Sequence, residues 1–127
     1  MIYLILLTML FLHIVDDYYL QGILSQMKQK KWWQEHAPDE LYRYDYIMAL
    51  VEHGFSWAFM IHIPLFVMVW FYGYQIWWWL PVFTFFTDWF CHSLVDHLKA
   101  NSSSINLIED QIVHIIQIIA TWGVLFV

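Results

Sequence analysis

The chain is 127 residues long and 61% hydrophobic, with only 13% charged residues, about half the share of a soluble domain. Its formal charge of −6 includes only five basic residues, too few for a phosphate-neutralising surface, which argues against nucleic acid as a partner. The lone Cys91 excludes an internal disulfide framework and a CxxC-type zinc site.

Four apolar stretches meet the roughly 20 residues that a helical membrane crossing needs: about 2–24, 46–72, 76–98 and 107–127. The first lacks a basic leader, and His13, Asp16 and Asp17 stand where a small-residue cleavage site would fall, so it reads as a retained span. Residues 25–45 form an interfacial element, with Trp32 and Trp33 at the headgroups. Pro64 is expected to kink the second span by freeing the carbonyl of Met60, and Pro81 to do the same in the third. Aromatic residues from Tyr72 to Trp79 flank the 73–75 turn, as at a membrane–water interface. Asn106 is a candidate N-cap of the fourth span.

Lys28, Lys30, Lys31 and Arg43 lie between spans one and two, and Lys99 between three and four. By the positive-inside rule these loops face the cytoplasm and both termini face away from it. The expected fold is therefore all-α: one transmembrane domain over 1–127, a compact bundle of four membrane-spanning helices with the lipid bilayer as its first partner.

Ionisable residues inside those spans are costly and mark function or tight pairing. Residues four apart share a helix face, so His13, Asp17 and Gln21 form one stripe. Asp88, His92 and Asp96 form a second, and Asp110 and His114 a third. At about 1.5 Å per residue, Asp17, His53, His92 and His114 all fall roughly 10–12 Å below the cytoplasmic surface. Asp88 and His13 fall about 5 Å deeper, while Asp96 and Asp110 lie at or above the layer. Mixed imidazole and carboxylate donors suit a divalent metal, zinc first, iron or manganese as alternatives. The expected ligands are His13, Asp17, His53, His92, Asp96 and His114, with Asp88 and Asp110 completing the shell or acting as general base. With three or more such stripes a two-metal site with a bridging carboxylate is also possible.

Glu52 points about 100° away from His53. His62 reads as a helix-packing residue, and His36 and His97 as interfacial. Asp16 faces differently from Asp17 and reads as a capping or vestibule residue, and the many Trp and Phe as lipid-facing surface.

The segments H-I-V-D-D-Y-Y-L-Q (13–21), H-S-L-V-D-H-L-K (92–99) and D-Q-I-V-H (110–114) resemble the ordered motifs H-x3-D-[FY]-x-L-Q, H-x3-D-x2-K and D-Q-x2-H. Those belong to a family of small membrane proteins of bacteria and their phages, described only as a domain of unknown function. V-E-H-G-F-S-W-A-F-M-I-H (51–62) is similar to that family's histidine-bearing second span. The resemblance runs along essentially the whole chain, although Asp16 replaces a usually small residue and the 28–45 loop is longer and more aromatic. It implies a four-helix fold in the bacterial cytoplasmic membrane and brings no established activity with it. A looser analogy of layout is to bacterial membrane-bound metal-dependent hydrolases.

Two functions follow as expectations. One is a metal-dependent hydrolase acting on lipid-like substrates near the cytoplasmic surface. The other is a non-catalytic subunit whose buried polar layer fixes helix packing within a larger membrane-protein complex. Proton or ion conduction along the Asp/His column would require oligomers, and a diiron oxygenase would require more inward histidines.

Overall fold

A computed structural model describes residues 1–127, and it is helical throughout, without strands. Helix α1 (Ile2–Val15) runs directly into a π-helical turn at Asp16–Leu20. Two short helices follow, α2 (Leu24–Met27) and α3 (Lys30–His36), then a 3₁₀ turn at Glu40–Tyr42. Three long helices complete the chain: α4 (Asp45–Tyr72), α5 (Trp79–Ala100) and α6 (Leu107–Phe126).

The four long helices close a ring, with α1 and α5 each packed against both α4 and α6. Successive helices alternate in direction. The Trp122 indole donates to the Ile2 carbonyl and the Tyr74 hydroxyl to that of Leu125, so both termini share an end with the 73–78 turn. At the other end the Asn101 amide donates to the Lys28 carbonyl, while Lys30 N–H donates to Asn101 Oδ1. The 21–44 segment is thereby pinned to the α5–α6 turn.

The ends of the helices follow local chemistry. Gly22 adopts φ +51° just after the π turn, a left-handed conformation that glycine enters without strain. It stops the first long helix at Leu20, four residues short of the expected limit. Asn106 and Glu109 form a reciprocal capping box at the start of α6. Helix α4 continues through Pro64 to Tyr72. Pro81 does not act as expected: it lies in the first turn of α5, where its missing N–H has no helical carbonyl to leave free.

Three helical segments are long and apolar enough to cross a membrane: Ile2–Leu20, Glu40–Tyr72 and Leu107–Phe126. Helix α5 is equally long but does not meet that standard, because Asp88, His92, Asp96, His97 and Lys99 lower its hydropathy.

The interior inverts the usual order. Twelve of the 25 buried residues are polar or charged, while Phe11, Phe83, Phe86, Phe90, Ile108 and Ile116 are all exposed. Such an apolar exterior matches hydrocarbon, and helix association then relies on close packing and internal hydrogen bonds. A small apolar core of Ile5, Met9, Trp57, Ala58, Ile61 and Ile118 fills one half of the bundle, and all the buried His and Asp except His62 and Asp88 gather in the other.

Helices α4 and α5 meet at Gly54. A β-carbon there would stand 2.1 Å from Ser93 Oγ, and across the same contact the Trp89 indole donates to the Val51 carbonyl. Gly54→Ala is therefore expected to destabilise the bundle by about 1–3 kcal/mol through overpacking. Gly54→Ala combined with Ser93→Ala, which removes the clashing Oγ while the Trp89 contacts stay, should regain part of the loss, read as melting temperature in detergent.

Candidate metal centre

All four long helices deliver side chains to one buried cluster. The π turn comes first, because it sets how α1 contributes. Its wider winding brings both Asp16 and Asp17 inward, and such single-turn π segments recur at functional sites. Asp16, expected at the vestibule, is fully buried: its Oδ1 accepts a 2.6 Å hydrogen bond from Ser56 and its Oδ2 lies 3.6 Å from His53 Nδ1. The Gln21 amide folds back onto the Asp17 carbonyl and closes the turn.

Three histidines from three helices form the centre. His92 Nε2 lies 3.2 Å from His53 Nε2, and His92 Nδ1 lies 3.2 Å from His114 Nδ1. Asp17 Oδ1 is 3.2 Å from His53 Nε2 and 3.7 Å from His92 Nε2. Asp96 Oδ2 is 3.4 and 3.8 Å from the same two nitrogens. On the far side, His114 Nε2 is 3.5 Å from Asp96 Oδ1 and 3.4 Å from Asp110 Oδ1. Two sets of residues can each offer donor atoms within 4.8 Å of one another: Asp17, His53 and His92, and His92, Asp96 and His114.

These spacings fit the donors of an ion site more closely than a hydrogen-bonded knot. Charge-assisted N–H···O contacts measure about 2.7–2.9 Å, and the structure achieves such lengths nearby. Lys99 Nζ sits 2.7 Å from Asp110 Oδ2, and Thr121 Oγ1 is 2.7 Å from Asp88 Oδ2. The His–Asp contacts of the cluster are instead 3.2–3.8 Å. Donors bound at about 2.1 Å around a tetrahedral zinc ion stand about 3.4 Å apart. Asp16 Oδ2, Asp17 Oδ1, His53 Nδ1, Asp110 Oδ1 and His114 Nε2 are buried and lack a hydrogen-bond partner, and such orphans are costly in a low-dielectric interior.

The formal charges also fit. Asp16, Asp17, Asp96 and Asp110 carry −4, and the ammonium groups of Lys28 and Lys99, at 2.5 Å from Asp96 and 2.7 Å from Asp110, supply +2. The remaining −2 is the charge that one divalent cation cancels.

Trp57 supports the centre from below. Its ring stacks on His92 with centroids 4.2 Å apart, and its indole N–H donates to His13 Nδ1 at 2.7 Å. His13 Nε2–H donates in turn to Gln111 Oε1, and the Gln111 amide donates to Asp17 Oδ2 and Asp110 Oδ2. Both ring nitrogens of His13 are thus engaged. His13 is not a free ligand as expected but part of the frame that orients Asp17 and Asp110.

Asp88, expected as a shell residue or base, is not brought to the cluster. Its carboxylate accepts from Gln117 and Thr121, and its nearest histidine is His62 at 4.0 Å. His62 itself bonds the Ala58 carbonyl and Thr84, the packing role expected of it. Glu52 is exposed, and His97 stacks on Tyr46 near the loop end of the bundle.

No family model, curated protein or solved structure matches this chain. The candidate centre therefore stands on the chain's own residues and their geometry.

Proposed function

We propose that this is an integral membrane protein that binds a divalent metal, zinc first, iron or manganese next, between its helices. The single observation that carries this is the 3.2–3.8 Å spacing of buried His and Asp donors drawn from α4, α5, α6 and the π turn, together with their orphaned atoms. All four long helices cross the membrane in this reading, α5 with its polar residues turned inward. The two basic loops face the cytoplasm, both termini face away, and the membrane is the bacterial cytoplasmic one. The motif resemblance includes Asp17 of the π turn, His92 and Asp96 of α5, and Asp110 and His114 of α6.

Two roles fit such a centre. As a metal-dependent hydrolase it would act on a lipid-like ester or phosphoester. A bound zinc ion supplies an acidified water and a polarised substrate oxygen. With a single ion bound, Asp110, with Oδ1 unpartnered, is the carboxylate placed to take a proton. The second role is a structural centre in an accessory subunit of a membrane-protein complex, and closure of the cluster favours it. Asp17 is the most exposed of its His and Asp residues, at 8%, and structural zinc sites are closed where catalytic ones keep an open position.

Elemental analysis of purified wild type and His92→Ala tests the metal. About one or more ions per chain in the wild type and near-complete loss in the variant are expected, and a metal-free wild type reconstituted with zinc at neutral pH that still binds none would sink the reading. The same proteins, incubated with ester and phosphoester lipids with and without a chelator, separate the two roles. Hydrolysis lost on chelation and in His92→Ala supports the first role, while no hydrolysis, or hydrolysis that survives both, rules out the metal-dependent hydrolase.

A further inference from the structure

Asp96 and His92 each face two ways. The carboxylate of Asp96 presents Oδ2 to His53 Nε2 at 3.4 Å and Oδ1 to His114 Nε2 at 3.5 Å. The ring of His92 directs Nε2 toward His53 and Nδ1 toward His114. The two ring nitrogens of an imidazole diverge, so His53 and His114 stand on opposite sides of His92. An ion held through His92 Nε2 with His53 and Asp17 cannot also be served through the side of the ring that meets His114.

Donor atoms nevertheless converge on that far side. His114 Nε2 and Asp110 Oδ1 lie 3.4 Å apart, on residues with no exposure at all. Neither atom has a hydrogen-bond partner, while the other oxygen of Asp110 is taken by Lys99 and Gln111. With Asp96 Oδ1 of α5 lying 3.5 Å from His114 Nε2, the far side repeats the tetrahedral-edge spacing and the free buried atoms of the near one, while Asp110 and His114 both belong to α6.

We infer that the centre holds two divalent ions bridged by the carboxylate of Asp96. Asp17, His53 and His92 hold the first, and Asp110 and His114 the second. The inference rests on the metal-binding reading above and deepens it. A second ion changes the formal charge of the cluster from 0 to +2, so an anionic ligand accompanies the pair. Two ions about 3.5–4 Å apart are the arrangement that clamps the attacking and leaving oxygens of a phosphoester, which makes phosphoester lipids the substrate class for the hydrolase role.

Manganese titration of the full-length protein in detergent, read by elemental analysis and low-temperature electron paramagnetic resonance, tests the pair. The expected result is two Mn²⁺ per chain with an exchange-coupled spectrum. His114→Ala should leave one Mn²⁺ with the six-line spectrum of an isolated ion. Should that variant fail to fold, Asp110→Asn, nearly isosteric, is expected to weaken the second ion at least tenfold while the first remains. One Mn²⁺ in the wild type, unaffected by either substitution, overturns the pair and leaves the single-ion reading intact. Two ions without exchange coupling overturn the Asp96 bridge. Binding of neither Mn²⁺ nor Zn²⁺ overturns the metal reading itself.

Discussion

Chelation of the metal-loaded protein is expected to lower its melting temperature by about 10–15 °C. A ligand present at about 1,000 times its Kd stabilises the folded state by about 4 kcal/mol, which for a chain of this size corresponds to a shift of that order. The cause is electrostatic. Without the ion, four carboxylates share a buried cluster with only two ammonium groups, and the excess negative charge must be neutralised or exposed. Because the donors come from α4, α5, α6 and the π turn that follows α1, the ion ties together all four long helices. Metal loading should therefore raise one cooperative transition and not merely tighten a loop. Intrinsic fluorescence is a suitable readout, since Trp57 stacks directly on His92. His92→Ala should melt at the same temperature with and without chelator. An equal melting temperature in loaded and chelated wild type would instead identify a purely hydrogen-bonded polar layer.

The convergence of Asp17, His53, His92, Asp96 and His114 is largely legible in the sequence. Four-residue spacing puts Asp17, His92, Asp96 and His114 on shared helix faces, and counting from the basic loops puts Asp17, His53, His92 and His114 at one depth with Asp96 at or above it. The same rules failed where the backbone left the regular α-helix. On a regular helix Asp16 and Asp17 lie about 100° apart, which turned Asp16 toward the vestibule. The π turn brings both inward, and the only sequence sign is the Asp-Asp pair ahead of a break at Gly22.

Depth also distinguishes Asp88 from the two residues that follow it on its stripe. One helical turn, about 6 Å for four residues, carries it into a separate pocket with Gln117 and Thr121. Trp57 is one of nine tryptophans in a chain with an aromatic exterior, and nothing local marks it as the one beneath the site. Gln111, whose amide joins Asp17, Asp110 and His13, gains its role only from three helices meeting. The lysines were legible as topology markers but not as partners of the cluster. Reaching Asp96 from Lys28 depends on the Asn101 pin, a contact 73 residues away in sequence.

Lys28→Met is expected to weaken the metal-free protein and to strengthen metal binding. Lys28 Nζ donates to Asp96 Oδ2 at 2.5 Å, with the lysine side chain 12% exposed and the aspartate 3%. That oxygen is also the one within 3.4 Å of His53 Nε2, so the ammonium and a metal ion compete for the same donor. Methionine keeps most of the apolar stem and removes the charge. In the metal-free state the substitution leaves a buried carboxylate short of its counter-charge, at a cost of about 3–5 kcal/mol. In the loaded state the ion is the counter-charge and the cost falls. By linkage the difference appears as tighter metal binding, and about 2 kcal/mol of difference corresponds to roughly 30-fold in Kd. Competition against a chelating indicator measures the affinity, and melting with excess chelator measures the metal-free stability. Lys99→Met should show the same signs at smaller size, because the Lys99 side chain is 35% exposed and water screens its pair with Asp110. A fall in metal affinity on Lys28→Met would assign Lys28 the opposite role, that of holding Asp96 in its ligating position. The two signs therefore decide whether the lysine is the metal's rival or its support.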